Sequence, residues 1–116
     1  MKALIVDDNI INLKVAQKLL EHENIMVDTV KSGFECLDKI QKTNYDVIFM
    51  DIMMPEMDGV ETFEKLKKVV GFQTPVIVLT ADAEAGAKEK YLKLGFFEYI
   101  SKPINIKELQ NIIKKL

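Results

Sequence analysis

Tyr45-Asp46-Val47-Ile48-Phe49-Met50-Asp51-Ile52-Met53-Met54-Pro55-Glu56-Met57-Asp58-Gly59 is the stretch on which the fold turns. Val47 to Met50 is an unbroken apolar run. A run this short, closed by turn residues, predicts a strand buried on both faces. Asp51 stands at its end, where an unpaired buried charge would be costly. Pro55 and Gly59 then punctuate a loop. In open parallel sheets, ligands bind in the crevice beyond the carboxyl ends of the strands. Asp51 is therefore placed like a working residue, the plainer alternative being a carboxylate that caps the loop.

The surrounding chain has the same grammar. Ala3 to Val6 predicts a first strand closed by Asp7-Asp8, with Asn9 capping a helix whose inward stripe is Ile11, Val15 and Leu19, with Ala16 and Leu20. Residues 25–30 predict a second, more polar strand near an edge. Ser32 and Glu35 have capping-box spacing, opening a helix to about Lys42 that buries Phe34, Leu37 and Ile40. Asp58 and Glu61 repeat that spacing before a third helix, with Val60, Phe63, Leu66 and Val70 inward and Gly71 as its stop. Pro75 to Leu79 predicts a fourth strand ending at Thr80. A fourth helix is expected from a cap at Asp82 to about Leu94, weakened inside by Gly86. Phe97 to Ser101 predicts the fifth strand. Lys102-Pro103 ends it, and Asn105 caps a last helix with Leu109, Ile112, Ile113 and Leu116 inward. Strand and helix alternate five times over short connections. That pattern predicts one α/β domain over residues 1–116, a doubly wound five-stranded parallel sheet with five helices.

Composition removes several chemistries. The 116 residues carry a net charge of −2, with no basic excess for nucleic acid. All sixteen basic residues are Lys, so bidentate guanidinium recognition of phosphate is excluded. One Cys, Cys36, permits no internal disulfide. One His, His22, excludes His-cluster zinc and Ser-His-Asp chemistry. No apolar run approaches a membrane span and no signal-peptide pattern opens the chain, so a cytoplasmic location is the expectation. Met50 reads as core, Met53, Met54 and Met57 as loop packing, and Cys36 as a small core residue.

Asp7, Asp8, Asp51, Thr80 and Lys102 each follow the apolar run of a predicted strand. In a parallel sheet those ends share one edge, so the five converge. Three crowded carboxylates either raise a pKa or bind a cation. Hard oxygen donors favour Mg²⁺, with Mn²⁺ or Ca²⁺ as alternatives. A Lys and a Thr hydroxyl facing that ion suit a phosphoryl group, and aspartyl phosphate is an established type of covalent intermediate.

With these residues in place, the chain resembles the receiver domain of two-component response regulators over essentially its whole length, a fold of the flavodoxin-like (βα)5 type. The resemblance rests on Asp7-Asp8, the D-x-x-M-P-x-M-D-G run from Asp51 to Gly59, Thr80-Ala81 and Lys102-Pro103, in order and each after an apolar strand. It implies that Asp51 accepts the phosphoryl group. It implies that Asp8 binds Mg²⁺ directly, Asp7 mostly through water, and the backbone carbonyl of Met53 supplies a third protein ligand. Lys102 would pair with Asp51 or its phosphoryl group, and Lys102-Pro103 would be cis. Thr80 and Tyr99 would be the switch pair that alters the surface of the fourth helix, fifth strand and last helix. The implied partners are a histidine kinase or phosphotransfer domain and a downstream protein target. Nucleic acid and membrane would not be contacted directly. The implied chemistry is confined to the domain's own phosphorylation and dephosphorylation. Asp7-Asp8-Asn9-x-x-Asn12 and the run from Gly71 look most like receivers attached to hybrid sensor kinases.

Three rival functions make other demands on these residues. A Mg²⁺-dependent phosphatase or phosphotransferase using Asp51 would need a general acid two residues later, where Met53 stands. A flavodoxin-like cofactor binder would need a phosphate-cradling loop where Asp7-Asp8-Asn9 repels phosphate. A receiver-like interaction module that is never phosphorylated would not require the full set of five residues.

Overall fold

Ten elements alternate along the chain in the computed structural model, which describes residues 1–81 and 84–116. They are β1 (Lys2–Val6), α1 (Ile10–His22), β2 (Met26–Val30), α2 (Gly33–Lys42), β3 (Val47–Asp51), α3 (Gly59–Lys67), β4 (Val76–Thr80), α4 (Ala87–Lys93), β5 (Glu98–Ser101) and α5 (Ile106–Lys115). The strands form one parallel sheet in the order β2-β1-β3-β4-β5. The polar β2 is an edge strand, as its sequence predicts. The order changes direction between β1 and β3, and Asp7 and Asp51 stand at the carboxyl ends of those two strands.

Alternation along the strands divides the core into two layers. Leu4, Val6, Ile48, Met50, Val76 and Val78 pack with Cys36, Phe63, Leu66 and Tyr91 from α2, α3 and α4. Ala3, Ile5, Val47, Phe49, Ile77 and Leu79 pack with Leu13, Ala16 and Leu20 of α1 and with Leu109 and Ile112 of α5. The predicted caps form. Asn9 accepts from the amides of Ile11 and Asn12, Ser32 accepts from Glu35, and Asn105 accepts from Lys107 and Glu108. Asp58 and Glu61 make the reciprocal capping box. Met50 and Cys36 are fully buried, Met54 and Met57 are buried loop residues, and the His22 side chain is 83% exposed.

Several predicted inward residues point outward. In α1 the buried line is Leu13, Ala16 and Leu20, while Ile11 and Val15 are exposed. Apolar residues occupy so wide an arc of this helix that its period does not determine its phase. Phe34 is exposed because Gly33 faces α3, where a Cβ would meet Thr62 Oγ1 at 2.1 Å. α3 stops at Lys67, four residues before Gly71, and Val70 beyond it is fully exposed. The amides of Lys68 and Val69 bond back to Lys65 and Leu66, a tightened final turn that ends the helix. Leu116 is likewise exposed. α4 begins only at Ala87, because Gly86 before it is left-handed at φ 85° and interrupts any earlier helical run. The expected cap at Asp82 lies outside the described residues.

Gly59 has a steric duty. A Cβ there would lie 2.3 Å from the Asp51 carbonyl oxygen, so its absence lets the start of α3 close against the end of β3. The phase of α1 is open to a direct check. Leu20→Ala is expected to cost about 2–5 kcal/mol. Ile11→Ala is expected to stay within about 0.5 kcal/mol. Urea unfolding midpoints decide between this phase and one with Ile11 inward.

Candidate functional site: an acidic pocket at the sheet edge

Each site residue arrives on the end of a strand. β1 delivers Asp7 and Asp8, β3 delivers Asp51, β4 ends at Thr80, and Lys102 follows β5. Asp7 is 1% exposed and Asp51 5%, whereas Asp8 is exposed. The Lys102 ammonium lies 2.9 Å from Asp7 Oδ2 and 3.3 Å from Asp51 Oδ1. The other oxygen of Asp7 accepts the Asn9 amide at 2.9 Å. One oxygen from each of Asp7, Asp8 and Asp51 lies within 4.8 Å of the others. The backbone holds this frame. The Lys102 amide donates to the Thr80 carbonyl at 2.8 Å, the Gly59 amide donates to the Ile52 carbonyl at 2.9 Å, and Lys102-Pro103 is cis.

The carboxylates open onto a pocket of about 280 Å³ whose other walls are Asn9, Asn12, Met53, Ala81 and Lys102. The Met53 side chain is 75% exposed at its rim. Thr80 is buried at the end of β4, one residue behind the Ala81 wall. Tyr99 stands apart from the acidic pocket, on β5. Its ring stacks on Tyr91 of α4 with centroids 6.0 Å apart, and it lines a second groove between α4 and α5. The sequence names Asn12 and Ala81 only as members of the Asp7-Asp8-Asn9-x-x-Asn12 and Thr80-Ala81 motifs and gives neither a role in the site. The Asp-Asp-Asn-x-x-Asn spacing puts Asn12 one helical turn beyond Asn9.

Electrostatics follow from this crowding. Burial, and then the charge of Asp7, push the Asp51 carboxyl up to about 6, against the pull of Lys102. Burial works against the Lys102 ammonium, but its bonds to Asp7 and the charge of Asp51 outweigh that and hold it above the ordinary lysine range. Burial pushes the Cys36 thiol up to about 12, which leaves it inert. The donor set fits a hard divalent cation: three carboxylate oxygens converge, and among the described residues no His or Cys joins them.

This fold and this edge define a phosphoryl-signalling α/β module, and the comparisons agree. The family described as response regulator receiver domain matches residues 3–114, and the chain belongs to that family. Signal transduction histidine-protein kinase BarA of Escherichia coli is 40% identical over 97% of this chain, which spans 12% of BarA's length. Two-component response regulator 24 of Arabidopsis thaliana is 34% identical over the whole chain and 84% of its own length. Among solved structures, the receiver domain of the Pseudomonas aeruginosa sensor histidine kinase PA1611, with a magnesium ion in its active-site cleft, superposes at TM-score 0.86. It is 31% identical, over 98% of this chain and 94% of that one. Chemotaxis response regulator CheY4 of Vibrio cholerae superposes at 0.87, with 30% identity over 98% and 96%. No helix among the described residues is long and apolar enough to cross a membrane.

The raised pKa of Asp51 has a sign that stability measurements can read. Its folded pKa lies above the unfolded value of 3.8, so ionisation opposes folding. The favourable contribution is complete below about pH 4 and is lost as pH rises through about 6. In metal-free buffer, wild type is expected to lose of order 1–3 kcal/mol relative to Asp51→Asn across that window. Urea midpoints of both proteins at a series of pH values check this; parallel curves would show that Asp51 is not strained by its neighbours.

Proposed function

We propose that the whole of residues 1–116 acts as one phospho-accepting receiver domain, taking a phosphoryl group onto Asp51. The carrying observation is Lys102 lying between the buried carboxylates of Asp7 and Asp51, with Asp8 at the open rim. Asp7, Asp8, Asp51 and the Met53 backbone carbonyl are the groups that would hold Mg²⁺, or Mn²⁺ in its place. When bound, the ion neutralises negative charge on the phosphoryl oxygens and the carboxylates.

The residues of the chain do the rest. An Asp51 oxygen attacks phosphorus as the phosphorus–nitrogen bond of a phosphohistidine breaks, and the imidazole nitrogen keeps the bonding pair. The donor is a histidine kinase or a histidine phosphotransfer domain; a small acyl phosphate serves in its place. Lys102 supplies positive charge to the transferring group, and Asn9 keeps Asp7 oriented toward Lys102. The Thr80 hydroxyl then takes a phosphoryl oxygen, and Tyr99 follows. The α4–β5–α5 surface is thereby rebalanced between two states for a downstream protein target. The only reaction is the domain's own phosphorylation and its reversal, and the site of action is the cytoplasm.

Intact-protein mass after incubation with acetyl phosphate and Mg²⁺ tests this. Wild type is expected to gain one phosphoryl group. Asp51→Asn and metal-free wild type are expected to gain none, and Lys102→Met to gain it at least tenfold more slowly, consistent with a lost charge-stabilising group. An unmodified wild type, with acetyl phosphate and with a promiscuous histidine kinase as donor, would leave an interaction module that is never phosphorylated.

A further inference from the structure

Glu98 opens β5 and is 8% exposed, a place where an unpaired carboxylate would be costly. Its oxygens are divided between two helices. Oε1 accepts the Tyr99 amide at 3.2 Å and lies 3.7 Å from the ammonium of Lys88 in the first turn of α4. Oε2 accepts from Lys115, at the far end of α5, at 2.8 Å. Burial opposes its ionisation. The Lys115 bond, the Tyr99 amide and the Lys88 charge outweigh that and hold the carboxyl below the ordinary glutamate range.

α4 is the element with most to gain from such a tie. It has seven residues, too few to hold a helix unaided. Among the described residues no side chain caps it, and its buried residues are Ala87 and Tyr91. Tyr91 anchors the middle of α4 through Phe96 and Tyr99. Lys88 gives its first turn an ion pair to Glu98. Lys88, Glu98, Tyr99 and Lys115 all line one groove of about 610 Å³ between α4 and α5.

We infer that Glu98 is a positioning residue for the switch: its carboxylate fastens Lys88 of α4 and Lys115 of α5 across β5 and holds α4 in its resting placement. This rests on the proposal that the α4–β5–α5 face responds to Asp51. An interaction made in the resting state alone subtracts from the apparent affinity of whatever favours the other state. The Lys88 side chain is 55% exposed, so the pair is a weak one, of the size that changes an equilibrium about two- to fivefold.

The probe is beryllofluoride with Mg²⁺, a stand-in for the phosphoryl group, titrated into the full chain. The readouts are the NMR shifts of α4 and β5 amides and hydrogen exchange across α4. Lys88→Met is expected to speed α4 exchange severalfold without the probe and to lower the probe's midpoint about two- to fivefold. The urea midpoint should fall only slightly, by no more than the same change of about two- to fivefold in the folding equilibrium. Glu98→Gln should do at least as much, and Lys115→Met less. Lys88→Met, at the exposed end of the pair, carries the test if Glu98→Gln fails to fold. A Lys88→Met protein that matches wild type in both readouts, or whose midpoint rises, overturns the role of Glu98. Wild type that takes the probe with no change in α4 or β5 amides removes the underlying switch instead.

Discussion

Asp7 and Asp51 are both buried, and the Lys102 ammonium lies within 3.3 Å of each. With Asp8 at the rim, the cluster holds three carboxylates around one ammonium. A closed core would not tolerate that imbalance, because desolvation of unmatched charge outweighs the attraction it leaves. The edge of a parallel sheet is where it is tolerated: the charges sit at the mouth of a pocket, reachable by water, a cation or a phosphoryl group. Each partner is tied back to an element of the fold. Asn9 bonds Asp7 and caps α1, Gly59 lets α3 close on the Asp51 carbonyl, and the Lys102 amide bonds the end of β4. The frame thus resists the relaxation that would separate the like charges. That resistance adds to burial, the larger cause, in raising the Asp51 carboxyl.

The same geometry explains why so much of this site was legible in the chain. A parallel sheet turns position in sequence into position in space: whatever follows an apolar strand run lies on the carboxyl edge. Asp7, Asp8, Asp51, Thr80 and Lys102 follow four such runs, and the structure brings them to one edge. Asn12 and Ala81 entered only as members of motifs, with no role assigned, because neither carries a charge. Nothing in a strand pattern marks an amide on the third helical position beyond a cap, or a small residue that lines a wall.

Helix phase was the part that did not read through. A period of 3.6 identifies a helix, but the buried face is chosen by the neighbour it packs on. Ile10, Ile11, Leu13, Val15, Leu19 and Leu20 leave α1 almost no polar boundary, and the sheet selected the line through Leu13, Ala16 and Leu20. In α2 the choice was made by a glycine. The close approach of Gly33 to Thr62 turns Phe34 outward, though Phe34 is the larger apolar group. Val70 looked like a fourth inward residue of α3 because the periodic pattern ran past the point where the final turn tightens.

β5 shows how one strand can speak to both layers. Along it Glu98 and Ile100 are buried while Tyr99 and Ser101 are partly exposed, so Tyr99 alternates with its neighbours. Tyr99 packs against the layer that holds α4, and Ile100 packs in the layer that holds α5. Because β5 is an edge strand, no further strand screens Glu98 on its outer side, and its carboxylate reaches a lysine from each layer. A central strand has no such freedom, since both its flanks are hydrogen-bonded. Lys102 follows directly on this strand, one residue beyond Ser101. β5 thus carries at its start a carboxylate shared by two helices and leads at its end into the acidic edge.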